Sequence, residues 1–319
     1  MSSQPVIIIG GPTASGKSRL GIRIAQKFDG EIINADSMQM YGDLKIVTGR
    51  PSFADESEIP HHLYGTLALN DRTSAGRWCE AALAVIHACH KANKLPVLVG
   101  GTGLYLQSLV SGMHRIPSVP KEVRAGLNQQ LKREGTSVLY AELAAVDPCQ
   151  AERLNPTDSQ RIVRALEIFR YTGKAMSTWQ SGEIEPTPPN LAFFTGIVLP
   201  DRDELYSEIN LRFDRMLVAG AVNEVKHLLA CKPDPDYPPL KAVGVSPIRA
   251  FLAREIDQGH MVELAKRDTR RYAKRQYTWF KNQIIPDSIL QKQHLVYPHN
   301  EFFSEISKFL LTVQNAQDT

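Results

Sequence analysis

The 319 residues suffice for one large domain or two ordinary ones and are too many for a single small module. With 43 % hydrophobic and 22 % charged residues, the composition excludes a disordered chain or a fibrous repeat. Lys and Arg number 37 against 34 Asp and Glu, so the net charge of +3 does not by itself argue for a nucleic-acid partner, and only local clustering could.

Val6 to Ile9 is a β-branched apolar run ending at glycines, and residues 19–28 then place Leu20, Ile22, Ile24 and Ala25 at helical spacing. The chain therefore opens as strand, loop and helix. Its first residues carry no basic region and too short an apolar run for a leader or a membrane span, which predicts a cytoplasmic protein. Residues 31–35, ending at Asp36, and 95–99, ending at Gly100-Gly101, are two further strand-like runs, with a covering helix over 75–92 between them. Short buried strands alternating with helices predict a parallel α/β sheet. After Gly112 the pattern turns helical over 121–133, 137–144 and 159–171, and a Pro-rich stretch closes it. The expected organisation is an α/β core over 1–113, a helical insertion over 114–190, and a return to the core over 191–319. That last part begins with a strand-like run at 191–199 and continues with helices near 204–217, 222–230 and 261–282, before a frayed tail from Gln314.

Cys79, Cys89, Cys149 and Cys231 show no spacing suited to zinc and read as reduced, buried thiols. His87 and His90 share a helix face without a third ligand, so no metal is assigned to them. Trp78, Trp179 and the Phe193-Phe194 pair read as core.

Gly11, Pro12, Thr13, Ala14, Ser15, Gly16, Lys17 and Ser18 match G-x-x-x-x-G-K-[ST] directly after a strand and before a helix, where a phosphate-binding loop must sit. Backbone N–H groups of such a loop converge on phosphate oxygens at a helix N-terminus, and Lys17 adds a point charge. Ser18 would place its hydroxyl on a magnesium ion bridging the same phosphates. Relatives that hydrolyse nucleotides close a later strand with an Asp, but here residues 95–99 run into Gly100-Gly101-Thr102-Gly103. The nearest carboxylate is Asp36 after the second strand, which spacing alone leaves open between a turn cap and a proton acceptor. Two reactions fit such a cradle. A kinase would pass a phosphoryl group to a small hydroxylated acceptor, or carbon would be transferred while diphosphate leaves into the loop.

Seven segments in order resemble the tRNA dimethylallyltransferases, also called tRNA isopentenyltransferases. They are residues 11–18, Asn34-Ala-Asp-Ser-Met-Gln-Met-Tyr41, Pro60-His-His-Leu63, Gly100-Gly-Thr-Gly-Leu-Tyr105, residues 158–167, Arg212-Phe-Asp-Arg-Met-Leu217 and Ala273-Lys-Arg-Gln-Tyr-Thr-Trp-Phe280. The resemblance implies a P-loop NTPase-like core and transfer of a dimethylallyl group from its diphosphate to N6 of the adenosine beside the tRNA anticodon. On that carry-over, residues 11–18 hold the diphosphate, Asp36 is the general base, and Lys17 and Thr102 complete the catalytic set. Asp36, Ser37, Met38 and Gln39 touch the target nucleotide. Thr102, Arg124, Gln160, Arg161, Ile162, Val163, Arg164, Lys274, Arg275 and Gln276 match tRNA-contacting positions. The implied partners are the tRNA anticodon stem-loop and dimethylallyl diphosphate with Mg²⁺, with no membrane and no obligatory protein partner.

The residues are consistent with this picture. Gln160, Arg161 and Arg164 fall on one arc of a helix whose other face carries Ile162, Leu166 and Phe169. Residues 266–281 hold seven basic side chains against one acid, with Tyr272, Tyr277, Trp279 and Phe280 interleaved, a pattern suited to RNA phosphates and splayed bases. His61 and His62 match the family but suggest only structural hydrogen bonding. At Val243-Gly244-Val245-Ser246-Pro247 the chain departs from the family pattern by a missing Tyr and an added Pro, which weighs against tRNA contact around 241–246. No heptad pattern calls for an oligomer, and a monomer is expected.

Overall fold

The computed structural model describes residues 3–291 and 299–316. From the N-terminus the elements are β1 (Gln4–Gly10), α1 (Lys17–Lys27), β2 (Gly30–Asn34), α2 (Phe53–Glu58), β3 (His61–His62), α3 (Ala75–Lys91), β4 (Leu95–Gly100) and α4 (Gly103–Ser111). There follow β5 (Met113–His114), α5 (Lys121–Glu134), α6 (Thr136–Val146), α7 (Pro148–Arg153), α8 (Ser159–Thr172), α9 (Met176–Gln180) and β6 (Ile184–Glu185). The chain ends with β7 (Leu191–Val198), α10 (Arg202–Val218), α11 (Ala221–Ala230), α12 (Val245–Leu252), α13 (Gln258–Gln283), β8 (Ser288–Leu290) and α14 (His299–Asn315). Two compact units result: residues 1–111 with 187–319, and residues 112–186. Among the described residues no helix is long and apolar enough to cross a membrane.

The first unit is built on a six-stranded parallel sheet in the order β3-β2-β4-β1-β7-β8, the P-loop NTPase-like α/β architecture. The central strands are apolar on both faces, as a sheet covered by helices requires, and Val6, Ile7, Ile8 and Ile9 are all fully buried. One face packs Ile7, Ile9, Val97 and Val99 against Leu20 and Ile24 of α1 and against Phe302 and Ile306 of α14. A separate cluster joins Tyr41, Leu44 and Val47 to Val225, Tyr237, Ile248 and Met261, with the Tyr237 hydroxyl donating to Asp43 at 2.6 Å. Gln314 lies within α14, so the expected fraying there is not seen, and residues 317–319 lie outside the described residues. Pro247 sits in the first turn of α12, where a missing N–H costs no helical hydrogen bond.

Strand order explains where a ligand belongs. β1 lies between β4 and β7, and the chain leaves it to build β2 and β3 on one side before β7 and β8 fill the other. Such a switch point opens a crevice at the carboxyl ends of the strands. Gly10 pairs in register with both Gly100 and Ile197, and Asn34 with Val99, so the loops after β1, β2, β4 and β7 emerge at one edge.

The second unit is a helical bundle with a short antiparallel β5–β6 ribbon. Leu127, Leu139, Leu143, Leu154, Ile162 and Leu166 form its core. Asp147 and Asp158 accept from backbone N–H groups in the first turns of α7 and α8, and Gly173 ends α8 in the left-handed conformation at φ 69°. Arg170 of α8 grips both carboxylate oxygens of Glu142 on α6 at 2.7 Å.

Candidate active site

The phosphate loop occupies the crevice at the end of β1. Gly16 takes φ 87° as the N-cap of α1, and Gly11 takes φ 153°, where a Cβ would stand 2.5 Å from the Val198 carbonyl. Both positions need glycine for these reasons. Lys17, only 9 % exposed, turns back to donate to the Pro12 carbonyl at 3.1 Å. Burial lowers its pKa from 10.5 to about 8, with Asp36 raising it and Arg212 lowering it further. Ser15 Oγ is buried without a hydrogen-bond partner, and Ser18 is exposed on the first turn of α1.

Asp36 follows β2 on a short loop held from several directions. Asn34 Oδ1 accepts from Asp36 N at 2.8 Å, and Asn34 Nδ2 donates to the carbonyls of Asp36 at 2.9 Å and Leu63 at 3.0 Å. Trp78 Nε1 donates to the Asn34 carbonyl at 2.7 Å while its ring stacks on Tyr105. The carboxylate itself divides its work. Oδ1 caps the 3-10 turn Met38–Met40 by accepting from Met38 N at 3.0 Å, and Oδ2 lies on the Gly101 side, 3.4 Å from where a Cβ on Gly101 would stand.

Thr102 Oγ1 accepts from Ser37 N at 2.9 Å and donates to Ser37 Oγ at 3.3 Å, tying the loop after β4 to the one after β2. Gln39 Nε2 donates to the carbonyls of Thr48 and Gly49 at 3.0 and 2.9 Å. The segment it holds is fastened from behind by Glu224, whose carboxylate accepts from the N–H groups of Lys45, Ile46 and Val47 at 2.6, 2.7 and 2.8 Å.

Two members of the site were not read from the sequence in these roles. Arg212 of α10 donates through Nη1 to Thr13 Oγ1 at 3.0 Å. Burial draws the guanidinium below its ordinary pKa range, while the charges of Asp36 and Glu208 oppose that. No carboxylate forms an ion pair with it among the described residues. The only hint in the sequence was its place in the segment 212–217. Gln276 was expected at a tRNA-contacting surface, but it is buried: its Oε1 accepts from Thr13 N at 2.9 Å and its Nε2 donates to the Gly101 carbonyl at 2.8 Å. The amide is thereby used at both ends on the backbone of the two glycine loops, which corrects that expectation.

Lys274 and Arg275, its neighbours on α13, are exposed, and Arg275 lies 5.7 Å over the Tyr272 ring. Trp279 packs against Gly103, where a side chain would collide with the indole. Burial and the charge of Asp36 both raise the pKa of the Tyr272 hydroxyl. Lys17, Arg212 and Asp36 thus place two cations and one anion around the loop, a balance that favours an anionic ligand.

Within the helical unit, Arg124, Gln160 and Arg161 are exposed, and Arg164 pairs with the nearly buried Glu167 at 3.4 Å. Ile162 and Val163 are buried in the core of that unit, so their side chains are not available to RNA, a correction that follows from the apolar face of α8. Cys79 and Cys89 are buried, whereas Cys149 and Cys231 are exposed, contrary to the expectation for all four. His90 contacts the Pro5 carbonyl at 2.8 Å, and His61 the Ile59 carbonyl at 2.7 Å.

Comparison with known proteins places this geometry. Residues 39–283 match the IPP transferase family model and residues 4–65 the isopentenyl transferase model. A tRNA dimethylallyltransferase of Rhodospirillum centenum is 46 % identical over 283 residues, covering 89 % of this chain and 90 % of that protein. The solved tRNA isopentenylpyrophosphate transferase of Bacillus halodurans superposes with a TM-score of 0.68 at 28 % identity over 99 % of both chains. A eukaryotic dimethylallyltransferase acting on tRNA gives a TM-score of 0.79 at 28 % identity, covering 97 % of this chain and 80 % of that one.

Proposed function

This chain belongs to the tRNA dimethylallyltransferase family, and we propose on that premise that it transfers a dimethylallyl group from dimethylallyl diphosphate to N6 of the adenosine beside the tRNA anticodon, in the cytoplasm. The observation that carries the reading is the meeting of the glycine loop, Asp36 and the Gly100-Gly101 turn at the carboxyl edge of one parallel sheet. β4 ends in glycines where a nucleotide hydrolase places an acid, and Gln276 spans the two loops.

In this mechanism the loop backbone from Ala14 to Ser18, Lys17 and Arg212 hold the diphosphate as its bond to the allylic carbon breaks, while the Thr13 N–H stays on Gln276. An adenine amino group is a weak nucleophile because its lone pair is delocalised, so stabilising the leaving group matters more than a strong base. As N6 bonds to carbon, its proton becomes acidic and passes to Asp36, whose Oδ2 is not engaged in the cap. The target adenine leaves its stack to enter the crevice, at a cost of a few kcal/mol for an unpaired loop base. An oxygen donor on this loop fits Mg²⁺: the exposed Ser18 hydroxyl would hold the ion, and Ser15 Oγ, buried without a partner among the described residues, is a second unused polar group of the same loop. When bound, Mg²⁺ supplies positive charge to the departing diphosphate. Thr102 positions the loop carrying Asp36 and Ser37. Exposed Arg124, Arg161, Lys274 and Arg275 supply cations for RNA phosphates.

Incubation with labelled dimethylallyl diphosphate, Mg²⁺ and unmodified tRNA tests the reading. Label in RNA with release of diphosphate and no ATP consumption is expected. ATP-dependent phosphorylation of a small acceptor instead would replace it with a kinase.

A further inference from the structure

We propose that Glu31, His62 and Cys89 form a binding site for one thiophilic divalent cation of the zinc class, with water completing its coordination. The three residues come from β2, β3 and α3 and share none of the diphosphate-binding machinery. Their ligating atoms all lie within 4.8 Å of one another. His62 Nε2 stands 2.6 Å from Glu31 Oε2, and the Cys89 thiol donates to the same oxygen at 3.6 Å. Tetrahedral zinc, with bonds of about 2.0–2.3 Å, sets ligand-to-ligand edges of roughly 3.3–3.8 Å. The Cys89–Glu31 separation already matches such an edge, and the His62–Glu31 pair needs to open by only about 0.7 Å.

The chemistry of the donors selects the ion. One sulfur, one imidazole nitrogen and one carboxylate oxygen suit zinc, whereas magnesium and calcium take oxygen alone. The side chains of His62 and Glu31 retain 35 % and 19 % exposure while Cys89 is 2 % exposed. The cluster is therefore open on its imidazole side, which gives an entry path and room for water. On binding, bonds form from Sγ, Nε2 and the carboxylate to the metal, the thiol proton leaves to solvent, and the imidazole proton moves to Nδ1. Thiolate and carboxylate then balance the two positive charges, and the nearby Lys94 is engaged by Asp29 at 2.5 Å.

Such a clamp would fasten β3, an edge strand of only two residues. The strand runs directly into Leu63, whose carbonyl accepts from Asn34 Nδ2 behind Asp36, so the ion would stiffen a support of that loop.

The full chain, stripped with a chelator, is titrated with Co²⁺ as a spectroscopic probe and then with Zn²⁺ in competition. One Co²⁺ per chain with sulfur-to-cobalt charge-transfer absorption, displaced by Zn²⁺, is expected. Cys89→Ser should lose that absorption and His62→Asn should weaken binding by at least about tenfold, both with unchanged far-ultraviolet circular dichroism. Cobalt at the phosphate loop would have oxygen ligands and give no such band, and Cys79→Ser should leave the band intact. No charge-transfer band in the wild type, its persistence in Cys89→Ser, or wild-type affinity in His62→Asn overturns the site. If Cys89→Ser fails to fold, Glu31→Gln and His62→Asn decide: Co²⁺ binding weakened by at least about tenfold in each supports the site, and wild-type affinity in either overturns it.

Discussion

Arg212 reaches across 199 residues of sequence to donate a hydrogen bond to Thr13 Oγ1 at 3.0 Å, bringing a second cation to the phosphate loop. It can do so because Gly49, at φ 63°, leaves the space its guanidinium fills, and any side chain there would collide with it.

Arg212→Ala is expected to lower kcat/KM for dimethylallyl diphosphate by about 10²–10³ while leaving tRNA affinity in a filter-binding assay unchanged. Arg212→Lys should recover only part of the loss, since an ammonium lacks the planar fork that engages both Thr13 and an anion. Undiminished kcat/KM in the Ala variant would remove Arg212 from donor binding.

Lys17 is expected to make donor use pH-dependent. Its pKa is lowered to about 8, chiefly by burial, so the ammonium is charged below that pH and lost above it. kcat/KM for the donor should therefore fall as pH rises through about 8, and the limb in kcat should lie higher because bound diphosphate favours the charged form. Stability moves the other way. The unfolded lysine keeps its proton to near 10.5, so between about 8 and 10.5 the unfolded state binds more protons and stability rises with pH. Below about 8 the folded state carries the whole cost of the buried charge, about 3 kcal/mol. A donor pH profile for Lys17→Met that keeps the wild-type limb would assign the limb elsewhere.

Gln276 clamps the two glycine loops together, so Gln276→Leu preserves bulk and leaves Thr13 N and the Gly101 carbonyl unpaired. The buried Gly101 carbonyl left unpaired costs about 1–3 kcal/mol and the half-buried Thr13 N less, and a lower melting temperature with a raised KM for the donor should follow. A surface contact with tRNA would produce the opposite pattern, weaker tRNA binding with donor kinetics intact.

Much of the fold was legible because it rests on local pattern. The runs at 6–9 and 95–99 are apolar on both faces and become β1 and β4, and the apolar arc of 159–171 becomes α8. β3 and β8 escaped notice because strands of two and three residues carry no periodicity. The phosphate loop was legible because its glycines, lysine and serine are contiguous. Arg212 and Gln276 were not, since each meets Thr13 only after α10 and α13 fold against the sheet edge, and no spacing in the chain records that meeting. Ile162 and Val163 were swept into the RNA-contacting range by their neighbours, although their apolar side chains belong to the core. The Glu31–His62–Cys89 cluster, spread over three elements, shows no ligand spacing at all.

In the proposed mechanism Asp36 takes the N6 proton beside a loop that holds the leaving diphosphate. Asp36→Asn tests it most directly, because the amide oxygen can still cap Met38 N while the side chain can no longer accept a proton. Single-turnover transfer from labelled dimethylallyl diphosphate to tRNA, with both substrates saturating, should fall by about 10²–10⁴ with tRNA affinity unchanged. Transfer at the wild-type rate would exclude Asp36 as the proton acceptor.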